Sequence, residues 1–222
     1  MRRTMTIALS AALLCACAAQ TKEPEPVSVA MVGDSIFYGT WAPNSENETI
    51  EACLRKILPE GSVVYNFGVS GATLQDEADQ PYKEEPAFQE SLASGVDEFI
   101  IMLGTNDAKR HNWDPERYAA EYRVFVKEYI DRSDTGHVYV AIPPIVFEDP
   151  VSYVYNFSIM PEAVSQLPQI ITETAEELGI GIIDLYTLTN DHPEWFWDGV
   201  HPNAEGNRAI ADEIYKTVFA QE

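Results

Sequence analysis

The segment Val29-Ala30-Met31-Val32-Gly33-Asp34-Ser35 decides how this 222-residue chain is interpreted. Its first four residues are apolar, a pattern typical of a strand that is buried on both faces. The Gly-Asp-Ser sequence that follows is typical of a turn. A buried strand that ends in this turn would present the Ser35 hydroxyl at its carboxyl end, so we predict that Ser35 is a nucleophile.

A second motif, Asp198-Gly199-Val200-His201-Pro202, lies near the other end of the chain. A serine hydroxyl is a poor nucleophile until a base takes its proton, and the base works better when a carboxylate fixes its tautomer. The spacing of Asp198 and His201 allows the carboxylate to hold one ring nitrogen while the other faces a nucleophile. Ser35, His201 and Asp198 are therefore the predicted catalytic residues.

Two further motifs, Asn66-Phe67-Gly68-Val69-Ser70-Gly71 and Gly104-Thr105-Asn106-Asp107, each lie at the end of an apolar stretch. Attack of a serine on an acyl carbonyl creates an oxyanion, which needs preorganised hydrogen-bond donors. The predicted donors are the backbone N–H groups of Ser35 and Gly71 and the side-chain amide of Asn106. Each motif alone also fits a structural turn or a helix cap, but the four together favour one site.

Apolar runs alternate with amphipathic stretches along the chain. The predicted strands are residues 27–32, 62–66, 98–103, 137–142 and 181–185. The predicted helices are residues 48–58, 86–94, 115–132, 161–178 and 204–219. This alternation predicts an α/β fold with a parallel sheet and helices on both faces. Sites in such sheets form at the carboxyl ends of strands, where the motifs fall. Residues 146–161 are predicted to form a long loop over the site.

The motifs, in this order, resemble the blocks of the SGNH hydrolase superfamily, also called the GDSL esterases and lipases. Gly33-Asp34-Ser35 resembles the first block, Gly71 the second, Gly104-x-Asn106-Asp107 the third, and Asp198-x-x-His201-Pro202 the fifth. The resemblance implies a three-layer α/β/α flavodoxin-like domain with a five-stranded parallel sheet. It also implies a Ser-His-Asp triad and no metal or organic cofactor. The Gly-x-Ser-x-Gly elbow of α/β-hydrolases is absent from the sequence.

Within this superfamily, the segment Leu103-Gly104-Thr105-Asn106-Asp107-Ala108-Lys109 is similar to bacterial carbohydrate acetylesterases. The expected function is therefore hydrolysis of small acyl esters, above all acetyl esters, of carbohydrates through an acyl-enzyme. One alternative is a lysophospholipase or thioesterase that acts on longer acyl chains. Another is a non-catalytic surface protein that binds glycans on the same scaffold, because fold does not imply function.

Three residues near the motifs are candidates for substrate binding: Asp34, Trp113 and Trp197. The aromatic residues could form the wall of an acyl or sugar pocket, or they could belong to the core. Asp34 and Asp107 flank the site, and we expect their carboxylates to make hydrogen bonds that shape the turns.

The composition limits the class of partner. The formal net charge is −22, which argues against binding to nucleic acid or to an anionic membrane surface. The hydrophobic fraction of 45% is ordinary for a globular protein, and we predict a single domain over residues 27–220. The expected partner is a small-molecule or glycan ester, and the oligomeric state is left open.

Residues 1–18 have the pattern of an export signal, with Arg2 and Arg3 before a short apolar run. Leu14-Cys15-Ala16-Cys17 resembles a bacterial lipobox, in which Cys17 would carry the lipid, and Ala16-Cys17-Ala18 also fits ordinary signal cleavage. Residues 19–26 are predicted to be a tether. We therefore expect an exported protein, either secreted or held as a periplasmic or cell-surface lipoprotein by its lipid anchor. Cys53 is predicted to be a buried core thiol.

Overall fold

The strands of the computed structural model, which describes residues 25–42, 44–132 and 137–220, form one sheet in the order β2-β1-β3-β4-β5. All four pairings are parallel. The strands are β1 Ser28–Gly33, β2 Val63–Gly68, β3 Glu98–Met102, β4 His137–Ile142 and β5 Gly181–Asp184. The predicted α/β fold with a five-stranded parallel sheet is confirmed.

The register brings the strand ends that carry the motifs to one edge. Gly33 at the end of β1 pairs with Gly68 of β2 on one side and with Met102 of β3 on the other. The chain order reverses around β1, and in such sheets ligands bind in the crevice beyond the strand ends at this reversal.

Helices cover both faces of the sheet. Alternate side chains of β1 accordingly point into two different buried clusters. Val29 and Met31 belong to one buried cluster, and Ala30 and Val32 belong to the other. The first face is covered by α1 Ser35–Tyr38, α3 Ile50–Ile57 and α9 Ala204–Val218. The second face is covered by α4 Pro86–Leu92, α5 Pro115–Arg132 and α7 Leu167–Leu178. The remaining short helices are α2 Ser45–Glu48, α6 Pro161–Val164 and α8 Leu185–Thr189.

The helix predicted over residues 161–178 is wrong as one element, because the structure has two helices, α6 and α7, separated at Ser165 and Gln166. Pro168 explains the break. A proline inside a helix lacks the N–H for the bond to residue 164, and its ring clashes with that carbonyl. Pro168 is tolerated only because it lies in the first turn of α7.

Several other predictions concern the ends of the chain and the connections. The predicted signal at 1–18, with Cys15 and Cys17, lies outside the described residues. Within the described ranges, no helix is long and apolar enough to cross a membrane. Cys53 is buried, and its thiol is free. The 146–161 connection is mostly irregular, as predicted. It contains a short 3-10 turn, Asn156–Ser158, and ends at Pro161, the first residue of α6.

Candidate active site

The three predicted catalytic side chains form one connected chain of hydrogen bonds. His201 Nε2 lies 3.0 Å from Ser35 Oγ, and His201 Nδ1 lies 2.7 Å from Asp198 Oδ2. Both contacts are satisfied when the neutral ring carries its proton on Nδ1 and accepts the serine proton at Nε2. The site therefore holds a hydroxyl, a base and an orienting carboxylate in the arrangement that activates a serine.

Local structure fixes the position of Ser35. This residue is the first of α1, directly after the carboxyl end of β1. Asp34 caps the helix, because its Oδ1 accepts the Ile36 N–H at 2.9 Å. Gly39 ends the helix and donates its N–H to the Ser35 carbonyl at 3.1 Å. The four-residue helix is thus capped at both ends, which holds Ser35 in place.

The loop with Asp198 and His201 is held by its own backbone and by the 146–161 connection. Asp198 Oδ1 accepts the N–H groups of Val200 at 2.9 Å and His201 at 2.8 Å. Gly199 has a φ of +81°, and a Cβ there would come within 2.1 Å of the Phe147 carbonyl oxygen. Only glycine fits both the conformation and the space at this position.

Asp107 ties together the two loops that carry the predicted oxyanion donors. Its carboxylate accepts the backbone N–H groups of Leu74, at 2.9 and 3.0 Å, and Gln75, at 2.8 Å. This joins the loop after β2, which includes Gly71, to the loop after β3, which includes Asn106. Gly71 has a φ of +90°, which disfavours any residue with a Cβ.

The Asn106 side chain is anchored and keeps a second donor. Its Nδ2 donates to the Ala72 carbonyl at 3.1 Å and lies 3.5 Å from Asp34 Oδ2. A primary amide has two N–H groups, and a contact of 3.5 Å is at the long limit of a hydrogen bond. The contact with Asp34 is therefore the weaker of the two, and it is the one that a developing negative charge in the site would replace.

Burial changes the acidity of the carboxyl groups around the serine. Burial raises the pKa of Asp34 and of Asp107 to about 6 in each case, against the lowering effect of the N–H groups they accept. Burial would also raise the pKa of Asp198. The hydrogen bonds and charge of His201, with the N–H of Val200, outweigh that effect and hold the Asp198 pKa below its ordinary value. Asp198 is thus ionised at neutral pH, as a partner for an imidazolium must be.

A cavity of about 250 Å³ opens over these groups. Ser35, His201, Gly71 and Asn106 all line it, so the predicted triad base and nucleophile and the predicted oxyanion donors share one space. The wall also includes Trp41 and Phe157, which are absent from the sequence-based predictions.

The predicted substrate-binding residues do not line this cavity. Asp34 is fully buried, and its role is to cap α1. Trp113 packs against the core with its ring centroid 5.5 Å from that of Tyr118. Trp197 is half-exposed but is not part of the cavity wall. None of the three therefore contributes to the wall of this cavity, whose aromatic residues are Trp41 and Phe157. Their assignment to substrate binding stays a prediction.

Residues 31–209 match the GDSL-like lipase/acylhydrolase family. An acetylxylan esterase of Xylanibacter ruminicola is 31% identical over 210 residues, which cover 86% of this chain and 42% of that protein. A GDSL esterase/lipase of Arabidopsis thaliana is 23% identical, over 68% of this chain and 63% of that protein. The chain thus spans less than two thirds of the length of these curated relatives.

Solved structures show the same fold. A carbohydrate acetylesterase from Sinorhizobium meliloti superposes with a TM-score of 0.71 at 21% identity, over 87% of this chain and 99% of that one. The aryl esterase of M. smegmatis superposes with a TM-score of 0.68 at 18% identity, over 86% and 100%. At these identities the likeness concerns the architecture of the sheet and its helices.

Proposed function

Because the chain belongs to the GDSL-like lipase/acylhydrolase family, we propose that it is a serine esterase that removes acetyl groups from carbohydrate hydroxyls. The observation that carries the proposal is the 3.0 Å contact between Ser35 Oγ and His201 Nε2, with Asp198 at 2.7 Å behind the ring. The 31% identity to an acetylxylan esterase supports the acetyl-carbohydrate substrate class.

In the acylation half of the reaction, His201 takes the Ser35 proton as the serine oxygen attacks the ester carbonyl. The carbonyl oxygen becomes an oxyanion, to which the backbone N–H groups of Ser35 and Gly71 and the side-chain amide of Asn106 donate. The tetrahedral intermediate then collapses, and the bond to the sugar oxygen breaks. His201 gives its proton to that oxygen, so the sugar leaves as an alcohol and the acyl group stays on Ser35.

In the deacylation half, water takes the place of the sugar. His201 removes a proton from the water as it attacks the acyl carbonyl, and the same donors bind the second oxyanion. Collapse releases the carboxylic acid and returns the proton to Ser35. Asp198 stays ionised throughout and stabilises the positively charged ring in both halves.

The size of the cavity supports a short acyl group. Sites for drug-sized ligands usually have volumes of about 300–1,000 Å³, whereas the space over Ser35 measures about 250 Å³. The proposal therefore favours acetyl esters over the longer substrates of a lysophospholipase or thioesterase.

Three measurements test the proposal. The first is acetate release from acetylated xylan, acetylated mannan and O-acetylated sialic acid; release from at least one glycan supports the proposal, and release from none contradicts it. The second is hydrolysis of p-nitrophenyl acetate, butyrate and octanoate, in which kcat/KM should fall by at least tenfold from acetate to octanoate. A rising series would favour the long-chain alternative. Failure of a fluorophosphonate to label Ser35 would favour a non-catalytic glycan-binding protein.

We also propose that the protein is exported through residues 1–18 and acquires a lipid at Cys17. The support is the sequence pattern alone, with its basic start, short apolar run and lipobox-like residues. Metabolic labelling with a palmitate analogue in a bacterial host tests this proposal. Wild type should be labelled in the membrane fraction, and Cys17→Ser should not. Labelling of neither, with the protein in the culture medium, would point to ordinary signal cleavage.

A further inference from the structure

Two aromatic side chains at the cavity have no part in the reaction derived above. Trp41 is 64% exposed and Phe157 is 49% exposed, yet both line the same space as Ser35 and His201. Single exposed aromatic residues are common on protein surfaces and need no explanation. Two of them on the wall of one catalytic cavity are a more specific observation.

The two residues come from chain segments that lie next to the two members of the catalytic pair. Trp41 follows α1, the helix that begins with Ser35. Phe157 belongs to the 146–161 connection, and its ring meets the His201 ring edge to face, with centroids 5.4 Å apart at 83°. A substrate that reaches Ser35 therefore lies beside aromatic surface contributed by both segments.

Both positions also have a left-handed backbone, which the structure gives to Tyr153 outside the cavity wall as well. Trp41 has a φ of +67°, Phe157 a φ of +58° and Ser158 a φ of +58°. Bulky residues are rare in this left-handed region, where glycine and asparagine are preferred. Such strain persists only where the surrounding structure enforces it, and it clusters at ligand sites. A glycine at position 41 or 157 would relieve the strain but would remove the ring.

We propose that Trp41 and Phe157 form a glycan-binding subsite that holds the sugar units next to the ester, an inference that rests on the proposed esterase function. The C–H face of a pyranose ring packs against an aromatic ring, while its hydroxyl groups seek polar partners at the edge. The same cavity wall supplies such partners in Thr40 and Ser70, whose hydroxyl oxygens are 3.4 Å apart, and in Lys109. Aromatic rings with hydroxyl neighbours suit a sugar better than an alkyl chain.

The subsite would make the enzyme selective for acetylated oligosaccharides over small aryl esters. Trp41→Ala should lower kcat/KM on acetylated xylo-oligosaccharides at least tenfold more than on p-nitrophenyl acetate. Trp41→Phe should restore most of the difference, because it keeps an aromatic face. Phe157→Ala should change the same ratio in the same direction, and the ratio cancels any effect of the lost contact with His201.

The matched control is Tyr38→Ala. Tyr38 is an aromatic residue of α1 that is 59% exposed and does not line the cavity, so its removal should leave both activities unchanged. Equal losses on the two substrates in Trp41→Ala would overturn the subsite, since the residue would then serve the reaction centre itself. No loss on either substrate would also overturn it. A larger loss on p-nitrophenyl hexanoate than on the glycan would assign the rings to the acyl chain instead.

A binding measurement separates failure of the subsite from failure of the esterase proposal. Isothermal titration calorimetry of Ser35→Ala with acetylated xylo-oligosaccharides should give a measurable dissociation constant. That constant should rise at least tenfold when Trp41→Ala is added. If wild type hydrolyses no ester but this titration behaves as expected, the esterase proposal fails and the subsite stands. If wild type hydrolyses the esters but Ser35→Ala binds the oligosaccharide equally well with and without Trp41, the subsite proposal fails and the esterase proposal stands.

Discussion

His201 Nε2 lies 3.0 Å from Ser35 Oγ, although the two residues are 166 positions apart in the chain. The serine follows a central strand of the sheet, and the histidine precedes the last helix. Their contact exists only in the folded protein, so every step of the proposed reaction depends on the sheet being formed.

Replacement of the nucleophile gives the most direct prediction. Ser35→Ala should lower kcat on p-nitrophenyl acetate by at least about 10⁴-fold, because among the described residues Ser35 is the hydroxyl that contacts the base. Thermal melting should remain within a few degrees of wild type. Ser165→Ala, at an exposed serine, is the matched control and should keep full activity. Full activity in Ser35→Ala would rule out the assigned nucleophile.

Removal of the Asp198 charge should also damage catalysis. Asp198→Asn keeps an oxygen for the N–H groups of Val200 and His201 but does not stabilise an imidazolium, and kcat should fall about 10³- to 10⁴-fold. Steady-state kinetics with Asp191→Asn, at an exposed carboxylate, provides the comparison. A loss of less than tenfold in Asp198→Asn would mean that another group orients the base.

The amide of Asn106 should contribute in the transition state more than in binding. Asn106→Ala should lower kcat by about 10²- to 10³-fold, or roughly 3 kcal/mol of transition-state stabilisation, with a small change in KM. Asn190→Ala, at an exposed asparagine, should show neither effect. A variant of Asn106 that changed KM alone would have lost ground-state binding, contrary to the assigned role.

Stability should fall as the pH rises between about 4 and 6. The pKa values of Asp34 and Asp107 are raised by burial from 3.8 to about 6, so in this window the folded state holds protons that the unfolded state has lost. The free energy of unfolding therefore decreases toward neutral pH, by at most about 3 kcal/mol for each group. The lowered pKa of Asp198 has the opposite effect on stability. Below its ordinary pKa of 3.8, the Asp198 contribution to the free energy of unfolding increases as the pH rises.

Asp34→Asn tests this pH dependence, because asparagine keeps an oxygen for the Ile36 N–H and cannot ionise. Urea unfolding at pH 4.5 and 6.5 should show a smaller drop in this variant than in wild type. Asp212→Asn, at an exposed carboxylate, should leave the drop unchanged. An unchanged drop in Asp34→Asn would mean that Asp34 is ionised across the whole range.

The left-handed backbone at Trp41 gives a prediction about stability. Trp41→Gly should be more stable than Trp41→Ala by about 1 kcal/mol, because glycine adopts a φ of +67° without a clash from Cβ. Urea unfolding of the two variants measures the difference. Equal stability, or a more stable alanine variant, would show that the position carries no conformational strain.

The sequence was sufficient to predict the elements that have a strong period or a continuous apolar run. The strand His137–Ile142 and the helix Pro115–Arg132 match their predicted bounds, because one is apolar and β-branched and the other has a stripe of aromatic residues. The short helices that follow Asp34 and Asp184 were not predicted. Helices of four or five residues are too short for a period to be visible.

The motifs located the predicted chemical groups, which line the cavity, but not the aromatic residues of its wall. Residue type and spacing favoured Trp113 and Trp197, which lie close in sequence to Asn106 and Asp198. The wall instead contains Trp41 and Phe157, whose positions depend on tertiary contacts. One such contact is the bond from Asn156 Nδ2 to the Asp198 carbonyl at 3.0 Å, which brings the 146–161 connection onto the catalytic loop.

Ser35 is fixed by a helix that starts on the sheet and is capped by Asp34, whereas Trp41 and Phe157 lie on connections outside the core. The alignment of the nucleophile is therefore separable from the choice of substrate. Laboratory libraries that vary the residues around positions 41 and 157 should yield enzymes with new ester preferences at undiminished folding yield.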